Sequence, residues 1–196
     1  MKTSILLLII LISSIGFSQK NKSDTITISG IILSEVDGKP MENVYINYTS
    51  KHKYSITDKN GKFEYRYLSK ENESKENIEI SAIGYETFDT IIDLSQNEKI
   101  DIFIVLEARF GLNRQKALDD LKQGKVNILL SGGIAPVIYK GDKKFAEKYK
   151  VDFIEYGCEA VSERSLIEYN KTIFEYLDKK FGKKWREEIR DDVLGL

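Results

Sequence analysis

Tyr54-Ser55-Ile56-Thr57-Asp58-Lys59-Asn60-Gly61-Lys62-Phe63-Glu64-Tyr65 decides how the first half of this chain is read. Apolar and polar residues alternate on both sides of a cluster of Asp, Asn and Gly. Asn and Gly tolerate the positive φ of a tight turn. The stretch therefore reads as the tip of a β-hairpin, entered by Tyr54 and Ile56 and left by Phe63, Tyr65 and Tyr67 on one face. Asp58-x-Asn60-Gly61 also looks like the opening of a calcium loop. An EF-hand needs its Gly at position six and a bidentate Glu at position twelve. Counted from Asp58, Gly61 stands fourth and Ser69 twelfth, so the turn reads as structural rather than metal-binding.

Strand patterns continue outward on both sides. Thr25 to Ser29 alternates with period two, and Gly30 followed by Ile31, Ile32 and Leu33 reads as a bulge where the phase slips. Asp37-Gly38-Lys39-Pro40 is a turn, since Pro40 has no ladder donor. Val44, Ile46 and Tyr48 then share a face. Ser69 to Asn77 is polar and charged and reads as a loop. Ile78, Ile80 and Ala82 follow on one strand, Gly84-Tyr85 makes a corner, and two strands carry Phe88, Thr90, Ile92, Leu94 and Ile100, Ile102, Ile104, Leu106. Seven short strands with frequent turns and no helix predict a seven-stranded antiparallel β-sandwich over residues 24–107. Asn47-Tyr48-Thr49 matches a glycosylation acceptor but lies within a strand and carries no weight.

Gly30, Asp37-Gly38-Lys39-Pro40-Met41, Val44, Thr57-Asp58-Lys59-Asn60-Gly61-Lys62-Phe63 and Ile80-Ser81-Ala82-Ile83-Gly84-Tyr85 occur in that order. Residues 26–106 thereby resemble the carboxypeptidase regulatory-like domain, a transthyretin-like sandwich common on exported bacterial proteins. The resemblance implies a fold and an accessory role: such domains accompany peptidases, outer-membrane receptors and surface proteins and are not themselves peptidases. The residues agree. A zinc carboxypeptidase needs several nitrogen and carboxylate ligands, and the chain has a single His, His52, in a Lys-flanked turn. No Gly-x-Ser-x-Gly elbow is present either, so neither a catalytic triad nor a metal or other cofactor is implied.

The N-terminus places the protein. Lys2, the unbroken apolar run Ile5 to Ile12 and the small residues of Gly16-Phe17-Ser18 read as a secretory signal peptide, residues 1–18, cleaved before Gln19. The run is shorter than the ~20 residues a spanning helix needs. Cleavage leaves 178 residues and, with Lys2 gone, a formal charge of −2. Neither nucleic acid nor an anionic membrane surface is an implied partner at that balance. The lone Cys158 cannot close an internal disulfide, and export without a disulfide framework fits a bacterial envelope, on its periplasmic or its outer side. Residues 19–23 read as a loose polar leader.

From residue 108 the pattern becomes helical. Asn113 caps a helix carrying Ala117, Leu118 and Leu121, and Val126 to Leu130 is a short apolar strand broken by Ser131-Gly132-Gly133-Ile134-Ala135-Pro136. Asp142 caps a helix with Phe145, Ala146 and Tyr149, and Val151 to Tyr156 is a second strand closed by Gly157-Cys158. From Ser162 a longer helix carries Leu166, Asn170, Ile173, Phe174, Leu177 and Phe181 to a stop at Gly182, and a last helix places Trp185, Ile189 and Val193 a turn apart. The order α-β-α-β-α-α predicts a small α/β domain over residues 108–196. A β-α-β crossover is normally right-handed and parallel, which brings Ser131-Gly132-Gly133 and Gly157-Cys158 to one sheet edge.

That edge is the sharpest candidate for a ligand site: Ser131, Gly132, Gly133, Asp142 and Cys158, with backbone amides approaching an anion. The plainer alternative is an ordinary turn beside a small buried Cys, with the Lys- and Glu-rich helix faces solvated. Three functional readings follow. The first is a non-catalytic binding or interaction module whose partner is an envelope protein, a glycan or a peptide. The second is a small ligand-binding or enzymatic domain using the two turns. The third is an outer-membrane assembly partner.

Overall fold

The structure, a computed structural model, describes residues 25–68, 74–95, 98–135 and 137–196. The expected signal peptide (1–18), the leader (19–23) and Pro136 lie outside them. The described chain is mostly β, with sheets of three, four and two strands and three α-helices.

Seven strands come first: β1 (Thr25–Ser34), β2 (Tyr45–Tyr48), β3 (Lys53–Ile56), β4 (Lys62–Leu68), β5 (Lys75–Ser81), β6 (Phe88–Asp93) and β7 (Lys99–Leu106). They form one sheet in the order β4-β1-β7 and another in the order β3-β2-β5-β6. Period-two alternation sends Ile26, Ile28, Ile32, Ile104 and Leu106 of the first sheet and Val44, Ile46, Tyr48, Ile78 and Ile80 of the second into one shared core. Tyr48 stacks on Tyr65 there at 4.1 Å, and burial pushes its phenol up to about 12.

Four strand expectations need correction. The 54–65 stretch is not a hairpin: β3 pairs with β2 and β4 pairs with β1, in different sheets. The turn itself is local and tight, with Asp58 Oδ1 accepting the Asn60 and Lys62 amides at 2.8 and 2.9 Å. Its two sides are tied elsewhere. Buried Thr57 donates to the Met41 carbonyl (2.6 Å) and accepts from the Val44 amide (2.9 Å), while the Ile32 amide donates to the Gly61 carbonyl. The chain thus crosses from one sheet to the other within five residues.

Secondly, Gly30 is no bulge. Register runs unbroken through it, opposite Phe63 and Ile102, and an added Cβ would lie 2.3 Å from the Ile102 carbonyl oxygen and 2.8 Å from the Phe63 ring. Close approach demands the glycine. Thirdly, the sandwich is not wholly antiparallel, because β7 runs parallel to β1. It arrives from β6 in the other sheet, so no hairpin dictates its direction. Finally, of the segment 69–77 expected to be loop, residues 69–73 lie outside the described residues and residues 75–77 belong to a strand. β5 starts at Lys75, and Glu76 is buried with its Oε1 accepting the Ser50 amide.

After residue 107 the elements are α1 (Arg114–Lys122), β8 (Asn127–Leu130), α2 (Asp142–Tyr149), β9 (Asp152–Glu155) and α3 (Glu163–Phe181). Asn113 caps α1 through the Lys116 amide, and Ser162 caps α3 through the Ser165 amide. β8 and β9 are parallel. The expected last helix is only a 3-10 turn, Lys183–Glu187, followed by irregular chain, yet Trp185, Ile189 and Val193 are all buried. They complete a second core with Leu112, Ile128, Phe145, Leu166, Phe174 and their neighbours.

A two-stranded sheet leaves β8 with an open edge. Asn170, wholly buried on α3, closes it: its Oδ1 accepts the Leu129 amide and its Nδ2 donates to the Leu129 carbonyl, both at 2.8 Å. The carboxamide replaces a neighbouring peptide group, and a further bond to the Leu194 carbonyl (3.1 Å) ties down the C-terminal segment. Asn170→Leu keeps the volume and removes all three bonds. It is expected to destabilise the fold by about 2–3 kcal/mol, read in urea from the emission of Trp185. An unchanged midpoint would show that the carboxamide does not hold the edge.

Candidate binding groove between the two cores

The start of α3 rests on one end of the sandwich, and a glycine makes the contact possible. At Gly84 φ is +80°, and a Cβ there would stand 2.2 Å from the Ser162 amide nitrogen. Next to it Tyr85, 5% exposed, reaches through the junction, its hydroxyl 2.8 Å from Ser34 Oγ and accepting from Ser162 Oγ at 3.3 Å. The same Ser162 oxygen caps α3, so the helix start and the sandwich share one buried hydroxyl network. Arg164 completes the clamp, donating to Asp37 Oδ1 (3.2 Å) and to the Lys39 and Pro40 carbonyls (3.4 and 2.8 Å).

Beside this contact lie two adjoining cavities. One, of about 470 Å³, takes in Met41, Ser131, Ser162 and Arg164. The other, of about 410 Å³, takes in Tyr45, Ser81, Thr87 and Arg109. Asn43, Ala82, Ile83 and Tyr85 line both, so they make one groove, and Ile83 stands on its rim 85% exposed.

The five candidate residues do not converge on a single cavity. Ser131 lines this groove. Gly132 packs against the second turn, where a Cβ would meet the Gly157 carbonyl oxygen at 2.3 Å, and exposed Cys158 lies with its Sγ 3.9 Å from the Gly133 carbonyl. The two glycine turns are therefore neighbours at the ends of β8 and β9. Asp142 is elsewhere. It lines a separate cavity of about 550 Å³, where its Oδ2 accepts the Tyr139 amide and pairs with Arg190 at 3.0 Å. It is the first residue of α2 rather than its cap, which is Gly141.

Arg190 and Arg164 escape sequence reading because they pair with Asp142 and Asp37, far along the chain, and Arg109 because the cavity it lines is built from distant segments at Asn43–Tyr45 and Ser81–Thr87. The Arg190 side chain is only 3% exposed and is neutralised by Asp192 (2.6 and 2.8 Å) and Asp142, with the Tyr139 ring 4.4 Å away. His52 is exposed at φ +52° in the β2–β3 turn. Among the described residues no group of three His, Cys, Asp or Glu side chains is placed to hold a metal.

Residues 28–114 match the family model of the CarboxypepD_reg-like domain. This segment is a carboxypeptidase regulatory-like domain. It spans all of β2 to β7 and ends at the first turn of α1, so the Tyr85 corner and Arg109 belong to the regulatory-like domain while Ser131, Ser162 and Arg164 lie beyond it. Similar solved structures include the dioxygenase domain of a dioxygenase and carbohydrate-binding protein fusion from Streptomyces sp. SirexAA-E, at 14% identity and TM-score 0.34 over 46% of this chain and 84% of that one. The TIE protein of Bacillus anthracis has 12% identity and TM-score 0.35, covering 43% and 17%. The major pilin subunit of Bacillus cereus has 11% identity and TM-score 0.32, covering 43% and 30%. At these values the likenesses carry no argument about function. No curated protein matches the chain.

Gly84→Ala combines a left-handed φ with a backbone collision and is expected to cost about 2 kcal/mol or more, whereas Tyr85→Phe removes only a hydroxyl and costs about 1 kcal/mol. Chemical denaturation measures both, and equal effects would contradict the close approach at Gly84.

A second expectation concerns acid. Hydrogen bonds from Arg186 hold the Asp178 carboxyl below its ordinary range against the opposing effect of burial, and Trp185 Nε1 donates to the same group at 2.9 Å. Arg190 likewise holds Asp192 low. A carboxyl with a depressed folded pKa stabilises above its unfolded value, ~4, and the contribution is lost as pH falls through the folded value. The unfolding midpoint followed by Trp185 emission should therefore drop as pH falls below about 4, and more shallowly in Asp178→Asn. An Asp178→Asn profile as steep as the native one would rule this pair out as a cause.

Proposed function

We propose that the protein is an exported, non-catalytic interaction module of the bacterial envelope, in which the regulatory-like domain and the elements after it form two units, divided near residues 107–108, that present the groove between them to a partner. One observation carries this reading: the groove is built jointly by the regulatory-like domain and by the α3 start, and it is set in place by the Gly84–Ser162 approach and the Arg164 clamp. The accessory character of the regulatory-like family supports it. Its side chains are those of a recognition surface: two guanidiniums, Arg109 and Arg164, two carboxylates, Glu42 and Glu163, hydroxyls, one amide and exposed apolar groups at Ile83 and Tyr45. An envelope or outer-membrane protein, or a peptide or glycan displayed there, is the class of partner such a surface fits.

A photo-reactive benzoylphenylalanine placed at position 83, on the groove rim, and at Lys179, on the far part of α3, tests this in intact cells. Discrete adducts are expected from position 83 and not from position 179. Adducts of the same kind from both positions would overturn the assignment of the groove, and turnover of any ester, peptide or glycan by the purified protein would overturn the non-catalytic reading.

A further inference from the structure

Five of the six arginines are paired with a carboxylate: Arg66 with Glu64, Arg114 with Glu175, Arg164 with Asp37, Arg186 with Asp178, and Arg190 with Asp142 and Asp192. Arg109 is the exception among the described residues. It is half-buried in the 410 Å³ end of the groove, whose lining has no carboxylate and no second cation; Glu42, Glu163 and the Asp37-paired Arg164 line the adjoining 470 Å³ end. Its backbone is fixed on both sides. The Arg109 amide donates to the Gly84 carbonyl at 3.0 Å, Ala108 bridges to Tyr85, and Phe110 turns the chain at φ +65° with its ring 4.9 Å from Tyr156. A guanidinium held in this way against a groove wall has the geometry and charge to receive an anion.

The chemistry narrows the ligand. A single monovalent fork matches one carboxylate in a bidentate pair, whereas a phosphate dianion would bring a second charge with no second cation in the cavity wall. Tyr45, 53% exposed, and Ile83 provide apolar surface next to the cation for the body that bears the carboxylate. Thr87 leads from the cavity into β6, an edge strand of the four-stranded sheet whose outer backbone groups face no other strand among the described residues. An extended chain lying along such an edge gains main-chain hydrogen bonds. We propose that the Arg109 end of the groove binds the C-terminal carboxylate of a peptide, its last side chain resting against Tyr45 and Ile83. The proposal rests on the reading of the groove as the contact face and names the chemistry that it recognises.

The test uses N-acetyl-Ala-Ala-Phe as free acid and as C-terminal amide, titrated into the purified protein and followed by NMR shifts of groove residues. The free acid should bind, with the amide weaker by at least about tenfold, as expected for loss of a charged hydrogen bond. Arg109→Gln should bring acid and amide to the same weak level at an unchanged melting temperature, with Arg109→Lys intermediate. Equal binding of acid and amide by the native protein, or undiminished binding of the acid by Arg109→Gln, would overturn the carboxylate assignment. So would stronger displacement of the peptide by inorganic phosphate than by 3-phenylpropionate. Binding of 3-phenylpropionate as tight as that of the tripeptide would overturn the peptide source. Cross-linking at position 83 that persists in Arg109→Gln would remove the carboxylate assignment but leave the groove as the contact face, whereas no cross-linking in the native protein would remove the groove itself.

Discussion

The approach of Gly84 to the Ser162 backbone is the constraint on which the relation of the two cores depends. A strand corner and a helix N-terminus come closer there than any residue with a Cβ would allow, and the corner adopts a backbone conformation that favours glycine. Everything polar nearby is arranged around that contact. Ser162 caps its own helix and donates to Tyr85, Tyr85 reaches Ser34 in β1, and Arg164 satisfies the carbonyls of the Asp37–Pro40 turn. The junction is a shared hydrogen-bond network rather than a greasy interface, so its geometry is specific: burying these hydroxyls is tolerable only while each finds its partner.

Strand existence was legible because period two is a property of single strands, and the inward residues Val44, Ile46, Tyr48, Ile78, Ile80 and Ile104 fall where alternation puts them. Pairing was not legible. Thr57 to Lys62 has every local mark of a hairpin turn and folds as one through Asp58, but the partners of the flanking strands are chosen by contacts to Met41, Val44 and Ile32, which the turn does not encode. Gly30 illustrates the same limit. A bulge and a close backbone approach both select glycine, and only the neighbours Ile102 and Phe63 distinguish them. The parallel β1–β7 pair escapes for a related reason, since strand direction is unconstrained once the connection leaves the sheet.

The candidate site divides along the same line. That the turns after β8 and β9 meet follows from a parallel β-α-β unit, and Gly132 does touch Gly157. What Asp142 does is decided by Arg190, a side chain 48 positions away that needs counter-charges because it is almost wholly enclosed. Asn170 sits in an apolar helical stripe and looks like an interruption, yet a two-stranded sheet needs some group to satisfy the open edge of β8, and a buried carboxamide is that group. In each case the residue type was visible and the role was not, because the role is a relation between segments.

Charge placement separates the two cores in a way that bears on recognition. The ionised network lies mainly after residue 107, where Asp120, Asp178 and Asp192 each take hydrogen bonds from a cationic neighbour and so neutralise Lys116, Arg186 and Arg190 locally. The regulatory-like domain has instead a buried core closed by hydroxyls and aromatic stacking, and at its boundary with the second core it leaves Arg109 without a counter-charge. A protein of nearly zero net charge attracts partners weakly at long range, so selectivity must come from short-range groups whose positions are set beforehand. A lone guanidinium on a pinned backbone, next to exposed Tyr45 and Ile83, meets that requirement: its cost of ordering is met during folding, and a ligand that binds there gains the full strength of a charge-assisted pair.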